Sequence, residues 1–152
     1  MKASDLEWAS KLLAERWGST KIVSRGRVHH ASSLPGFLAE LDGKPSGLLI
    51  YCIEAGECEI ISLDSLSEGC GVGIALLQAV EDMAVSHACK RLWLITTNDN
   101  SHAIDYYQKR GFTLVAIHEG AVARARDLKP EIPTHDQEGV PIEDEWEFER
   151  QL

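Results

Sequence analysis

Residues 68–77 read Glu68-Gly69-Cys70-Gly71-Val72-Gly73-Ile74-Ala75-Leu76-Leu77. Three glycines alternate with Cys70 and Val72, and an apolar run follows at once. A glycine inside a helix costs roughly 1 kcal/mol relative to alanine, so this density marks a loop or a helix start. Val72, Leu76, Val80 and Ala84 then recur at helical spacing, which predicts a helix to about Ala88. Glu57 to Leu63, just upstream, reads as a strand. The centre of the chain is therefore strand, glycine loop, helix.

Working outward, Ser4 and Glu7 have the spacing of a capping box, and Leu6, Ala9, Leu13 and Trp17 fall on one face of a first helix that Gly18 ends. Lys21 to Ser24 reads as a short strand, and residues 25–35 as loop. Phe37–Leu41 and Ser46–Ile53 are strands joined at Asp42-Gly43, a strong hairpin signal. Beyond the central helix, Leu92-Trp93-Leu94-Ile95 is continuously apolar, as in a central strand covered on both faces. Asn98 to Ser101 supplies helix-capping residues for a short helix to Arg110, which Gly111 ends. Thr113–Ile117 is a strand and 120–129 a short helix. Glu145–Glu149 alternates as a last strand with Trp146 and Phe148 inward. The expected class is α/β (α+β), one domain over residues 1–152 with a mixed, mostly antiparallel sheet of about six to seven strands flanked by helices.

The 152 residues are 44% hydrophobic and 26% charged, with a net charge of −9. Such an acidic chain is poorly suited to a phosphate backbone, so no nucleic-acid partner is expected, and a cationic small molecule fits better. No apolar stretch approaches the roughly 20 residues that span a bilayer, and the charged N-terminal segment lacks a secretory signal's apolar core. Cys52, Cys58, Cys70 and Cys89 have neither CxxC spacing nor disulfide-scaffold density, so reduced thiols in a cytoplasmic protein are expected. No His, Cys and carboxylate set has metal-ligand spacing.

The glycine loop admits three readings. A dinucleotide fingerprint would be GxGxxG, whereas Gly69 to Gly73 is GxGxG. A methyltransferase loop for S-adenosylmethionine has a similar look, but its doubly wound fold needs more βα units than follow here. A pyrophosphate cradle at a helix N-terminus needs only strand, loop and helix: backbone N–H groups and the helix dipole attract the anion.

The six residues Glu68-Gly69-Cys70-Gly71-Val72-Gly73 stand where the GNAT superfamily of acetyl-CoA-dependent N-acetyltransferases carries [Q/R]xxGx[G/A]. A second stretch, Asn100 to Phe112, is similar to that family's NxxAxxxYxKxGF helix. The resemblance spans about Glu57 to His118. Glu68 and Cys70 depart from it, since a Gln or Arg and a basic residue are usual there, and both departures remove positive charge beside the pyrophosphate.

The resemblance implies acetyl transfer from acetyl-CoA to a primary amine in a ternary complex. It places the base at Glu59 on the strand before the loop, with Glu57, two residues earlier on the same face, and Asp64 as substitutes. Backbone N–H groups near Leu63 and Ser65 would hold the thioester carbonyl, and Glu68, Gly69, Cys70, Gly71, Val72 and Gly73 the pyrophosphate. Asn100 would cap its helix and meet the pantetheine arm, and the Tyr107 phenol would protonate the leaving thiolate, with Tyr106 as packing. Residues 25–35 and 120–144 would shape the acceptor site, and the C-terminal strand is a candidate for pairing across a homodimer. The rival readings are an acyl-CoA-binding module without activity and the methyltransferase.

Overall fold

The computed structural model describes residues 3–17, 21–30, 33–66, 69 and 71–152. In chain order the elements are α1 (Ala3–Trp17), β1 (Lys21–Ser24), β2 (Arg27–His30), β3 (Gly36–Leu41), β4 (Lys44–Glu54) and β5 (Glu57–Ser65), then α2 (Val72–Ser86), β6 (Arg91–Thr97), α3 (Ser101–Lys109), β7 (Thr113–His118), α4 (Ala121–Leu128) and β8 (Glu145–Gln151). The side chain of Ser4, and Gly18, on which the expected ends of α1 rest, lie outside the described residues.

Strands β3 to β8 form one sheet in the order β3-β4-β5-β6-β8-β7, and β1 and β2 form a separate two-stranded sheet. Among the described residues only β5 and β6 pair in parallel, and the other strand pairings are antiparallel. A mixed, mostly antiparallel sheet was expected, and a doubly wound parallel sheet, which a methyltransferase requires, is not what the chain forms. Two expectations need correction. Residues 25–35 contain a strand, β2, that turns back on β1. Strand β8 lies between β6 and β7 and pairs with both, so both its edges are occupied and it offers none to a second copy.

Alternation along the strands builds a core on each face. On one side Leu49, Cys58, Ile60, Leu92, Leu94 and Phe148 meet Val72, Leu76, Leu77, Val80 and Ala84 of α2. On the other Leu48, Ile50 and Ile61 meet Ala9, Leu12 and Leu13 of α1 and Ile22 of β1. Phe148 is fully buried and Trp146 half-buried against the α2 side, as the alternation predicts. Glu145 and Glu147, on the opposite face of β8, are buried as well. Their carboxylates are satisfied there: the Arg25 backbone N–H donates to Glu145, and Arg91 donates to Glu147 at 2.8 Å.

Candidate active site

Strands β5 and β6 separate part-way along their length. They pair only at Cys58–Leu92, Glu59–Trp93 and Ile60–Leu94. Strand β5 continues beside β4 to Ser65, opposite Gly47, and β6 continues beside β8 to Thr97, opposite Glu145. Residues 61–65 and 95–97 therefore each have one edge with no strand neighbour. Such an edge can pair with an extended ligand through backbone hydrogen bonds. A bulge reinforces the parting: Ser62 pairs with Ile50 and Ile60 with Tyr51, which leaves Ile61 as an extra residue on β5 at the point where β6 departs. Leu63 and Ser65, both half-buried, lie on this open length.

The N-terminus of α2 follows. Gly71, its N-cap, has φ 76°, in the left-handed region that favours glycine. Among the described residues no side chain caps this end, and no acidic residue stands in its first turn, so the first N–H groups of the helix are left for a ligand at the positive end of the dipole. Gly69 also has positive φ, at 79°. Glu68 and Cys70 lie outside the described residues. The Val72 side chain is core, and Gly73 has a structural demand of its own: a Cβ there would stand 2.6 Å from the Tyr106 hydroxyl.

Glu59 sits one residue before the parting and is buried, 6% exposed. Its Oε2 accepts a hydrogen bond from Ser24 Oγ at 2.7 Å, and its Oε1 lies 3.7 Å from His29 Nε2. Burial pushes its pKa up to about 7, with Glu145 adding to the rise and Ser24, Arg27 and Arg25 opposing it. A cleft of about 310 Å³ opens beside it, lined by Ser24, Arg25, Arg27, Cys52, Glu57 and Trp93 among others. Arg25 and Arg91 stand 5.6 and 4.9 Å from the centre of the Trp93 ring. Glu57, by contrast, accepts from Arg91 Nε at 2.7 Å and is committed to that ion pair. Asp64 is buried opposite Leu48.

Tyr107, on α3, is buried with its ring edge-on to Tyr106 and Phe112, each 5.5 Å away. Burial, with help from Tyr106 and Asp64, raises its pKa well above that of an ordinary phenol, so the hydroxyl carries its proton throughout the neutral range. Asn100 caps α3, its side chain accepting from the Ala103 N–H at 3.2 Å.

Residues 25–35 were expected to shape the acceptor site, but the sequence did not join Ser24, Arg25 and His29 to Glu59. Ser24, Arg25 and His29 belong to the β1–β2 hairpin, whose signal was available: Arg25-Gly26 occupies a two-residue turn with φ 50° and 75°, the same conformation as Asp42-Gly43 at 50° and 77°. Trp93 shares the β6 register position of Glu59. Among the described residues no group of three or more His, Cys, Asp and Glu side chains is placed to hold a metal ion. Likewise no helix is long and apolar enough to cross a membrane.

Residues 5–112 match the family model for the acetyltransferase (GNAT) family. The chain is 44% identical over 138 residues to the uncharacterized protein YdhI of Bacillus subtilis (strain 168), a match that covers 90% of this chain and 86% of that one. A Bacillus subtilis acetyltransferase solved in complex with CoA superposes with a TM-score of 0.69 at 16% identity, over 100% of this chain and 94% of the other. A GNAT family acetyltransferase from Elizabethkingia anophelis, solved with acetyl-CoA bound, gives 0.66 at 22% identity, over 80% and 78% of the two chains. The two solved structures share the fold, while the family model spans both the parted strands and the glycine loop with its helix, and the chain belongs to the GNAT acetyltransferase family.

Proposed function

We propose that this protein is an acetyl-CoA-dependent N-acetyltransferase whose acceptor is the primary amine of a small, cationic molecule, attacked directly within a ternary complex. The observation that carries the reading is the parting of β5 and β6 immediately beyond a buried carboxylate, Glu59. An extended donor and a base are thereby brought to the same point of the sheet.

The residues present fit the donor. The uncapped first turn of α2, preceded by Gly69 and Gly71 at positive φ, offers backbone N–H groups to a pyrophosphate, with no acidic residue within that turn itself. The open edge from Ile61 to Ser65 offers backbone N–H groups to the pantetheine amides and, near Leu63 and Ser65, to the thioester carbonyl. Asn100 fixes the start of α3 and thereby Tyr107. CoA and acetyl-CoA in the two solved neighbours support the same donor here. The donor, when bound, supplies an activated acetyl thioester.

The chain supplies the proton movements. Most alkylamines are cationic at neutral pH and must lose a proton before they attack. Glu59, with a pKa of about 7, is matched to that task, because a base works best when its pKa lies near the working pH. Tyr107 retains its proton and can deliver it to the departing thiolate. The excess of carboxylates, net −9 over the chain, favours a cationic acceptor. Calorimetric titration with acetyl-CoA and, separately, with S-adenosylmethionine tests the donor. Saturable binding of acetyl-CoA alone, followed by acetylation of members of an amine panel, is expected. Binding without acetylation of any amine would leave an acyl-CoA-binding module instead, and binding of S-adenosylmethionine alone would sink the reading.

A further inference from the structure

His29, on β2, is 5% exposed, and its Nε2 has no hydrogen-bond partner among the described residues. A buried polar atom left in that state destabilises the fold, so its persistence calls for a reason. The atom is directed at Glu59, with Oε1 3.7 Å away. The two oxygens of Glu59 are thereby made unequal. Oε2 accepts from the Ser24 hydroxyl, while Oε1 faces a ring nitrogen that can accept a proton as readily as donate one.

We propose that His29 and Glu59 act as one proton-holding pair, in which the proton taken from the acceptor amine is kept between Glu59 Oε1 and His29 Nε2. The proposal rests on Glu59 being the base. The step balances simply: the amine N–H bond breaks and a proton joins Oε1, which then hydrogen-bonds or passes it to Nε2. The new N–C bond forms as the C–S bond breaks, Tyr107 protonates the departing thiolate and regains a proton from the second N–H that the acylated nitrogen gives up, and the pair returns its own proton to solvent before the next turnover. His29 is a positioning residue in this scheme, acting through Glu59.

The surroundings draw the two proton affinities together. Burial pushes Glu59 up to about 7 and His29 down from its ordinary value. Arg25 and Arg27 favour the Glu59 carboxylate and Glu145 disfavours it, whereas Arg27 disfavours and Glu54 favours a charged His29. Ser24 donates to Glu59 from β1, Cys52 faces it from β4, Trp93 lies opposite it on β6, and Glu57 on β5 is taken up by Arg91. None of these groups is a hydrogen-bond partner of His29 Nε2. Two such groups titrate as a pair, with apparent pKa values that belong to neither alone.

The test needs no acceptor. The Glu59 carboxyl carbon and the His29 ring nitrogens are followed by NMR against pH in the wild-type protein, in Glu59→Gln and in His29→Gln, with backbone spectra reporting the fold. Wild-type Glu59 is expected to titrate in two steps, both echoed at His29. In Glu59→Gln the loss of the carboxylate should lower the His29 midpoint by more than about one pH unit, a drop of more than tenfold in proton affinity. In His29→Gln the Glu59 carbon should report a single step. If His29→Gln fails to fold, the His29 midpoint in Glu59→Gln decides alone. A midpoint that stays in place overturns the pair while leaving the acetyltransferase reading standing. Failure to bind acetyl-CoA with the coupled titration intact would overturn the acetyltransferase reading and, with it, the pair's role as holder of the amine proton.

Discussion

The Tyr106 hydroxyl occupies the place where a side chain at Gly73 would begin: a Cβ built there would stand 2.6 Å from that oxygen and 3.5 Å from the ring carbon bearing it. Gly73 is thus required for helix packing, whatever it does for a ligand. The ring of Tyr106 cannot withdraw freely, because it packs edge-on to Tyr107 and carries Arg110 5.0 Å above it. Overpacking of this kind costs about 1–3 kcal/mol, against a gain of up to about 1 kcal/mol for replacing a helical glycine by alanine. Gly73→Ala should therefore be less stable than wild type in urea unfolding. Adding Tyr106→Phe removes the clashing oxygen, which is buried and has no hydrogen-bond partner among the described residues. The double variant should recover the loss, and equal stability of the single and double variants would show that the contact is not the cause.

Glu59 makes the stability of the fold depend on pH. Its pKa rises on folding from 4.5 to about 7 because burial penalises the carboxylate. A raised acid pKa means that the folded state holds the proton more tightly than the unfolded chain. The associated stability is complete below pH 4.5 and is lost as pH climbs through 7. Glu59→Gln cannot ionise and escapes this loss. It should match wild type near pH 4.5 and exceed it at pH 8 by on the order of 2–3 kcal/mol. Acetyl transfer by the same variant should fall by about 10²–10⁴-fold. A stability difference that stays constant across that pH range would sink the electrostatic account.

Tyr107 is buried among Tyr106, Phe112 and the rest of the α2-side core. Packing alone would explain such a residue, so the prediction must separate packing from chemistry. Tyr107→Phe preserves the ring and removes only the proton donor. Turnover should fall by about 10²-fold, the lower end of the range for general acid catalysis, with the affinity for acetyl-CoA and the melting temperature nearly unchanged. Wild-type turnover in Tyr107→Phe would leave the tyrosine a purely structural role.

Most of the elements that position the site were legible because their cause is local. Asp42-Gly43 marks its hairpin through a turn that needs positive φ, Asn100 caps α3, and apolar residues at helical spacing mark α2. The parting of β5 from β6 has no local cause, since it depends on where pairing stops between strands separated by a helix. The Arg25-Gly26 turn marks the hairpin that carries the companions of Glu59, but not their meeting with it. Ser24 and His29 lie 35 and 30 residues away in sequence, and nothing in the order of residues sets a carboxylate beside a hydroxyl and a ring nitrogen. Glu145 and Glu147 misled for a related reason. Alternation on β8 reads as one wet face, yet the β1–β2 turn and Arg91 cover that face with cations and N–H groups.

Gly47 couples the strand to the glycine loop. It pairs with Ser65 at the end of β5, and a Cβ there would stand 2.4 Å from Val72 Cγ1, 3.0 Å from Leu76 Cδ1 and 3.1 Å from the Asp64 carbonyl oxygen. The last of these atoms is backbone and cannot turn aside. Gly47→Ala must therefore push the first turn of α2 away from β4 or distort the open length of β5, the two elements proposed to hold the donor. A stability loss of about 1–3 kcal/mol is expected, together with roughly tenfold weaker binding of acetyl-CoA by calorimetry. Combining it with Val72→Ala, which removes the nearest clash, should restore part of both, so the two changes should not be additive. Destabilisation with undiminished affinity would mean that the first turn of α2 and the end of β5 do not hold the donor.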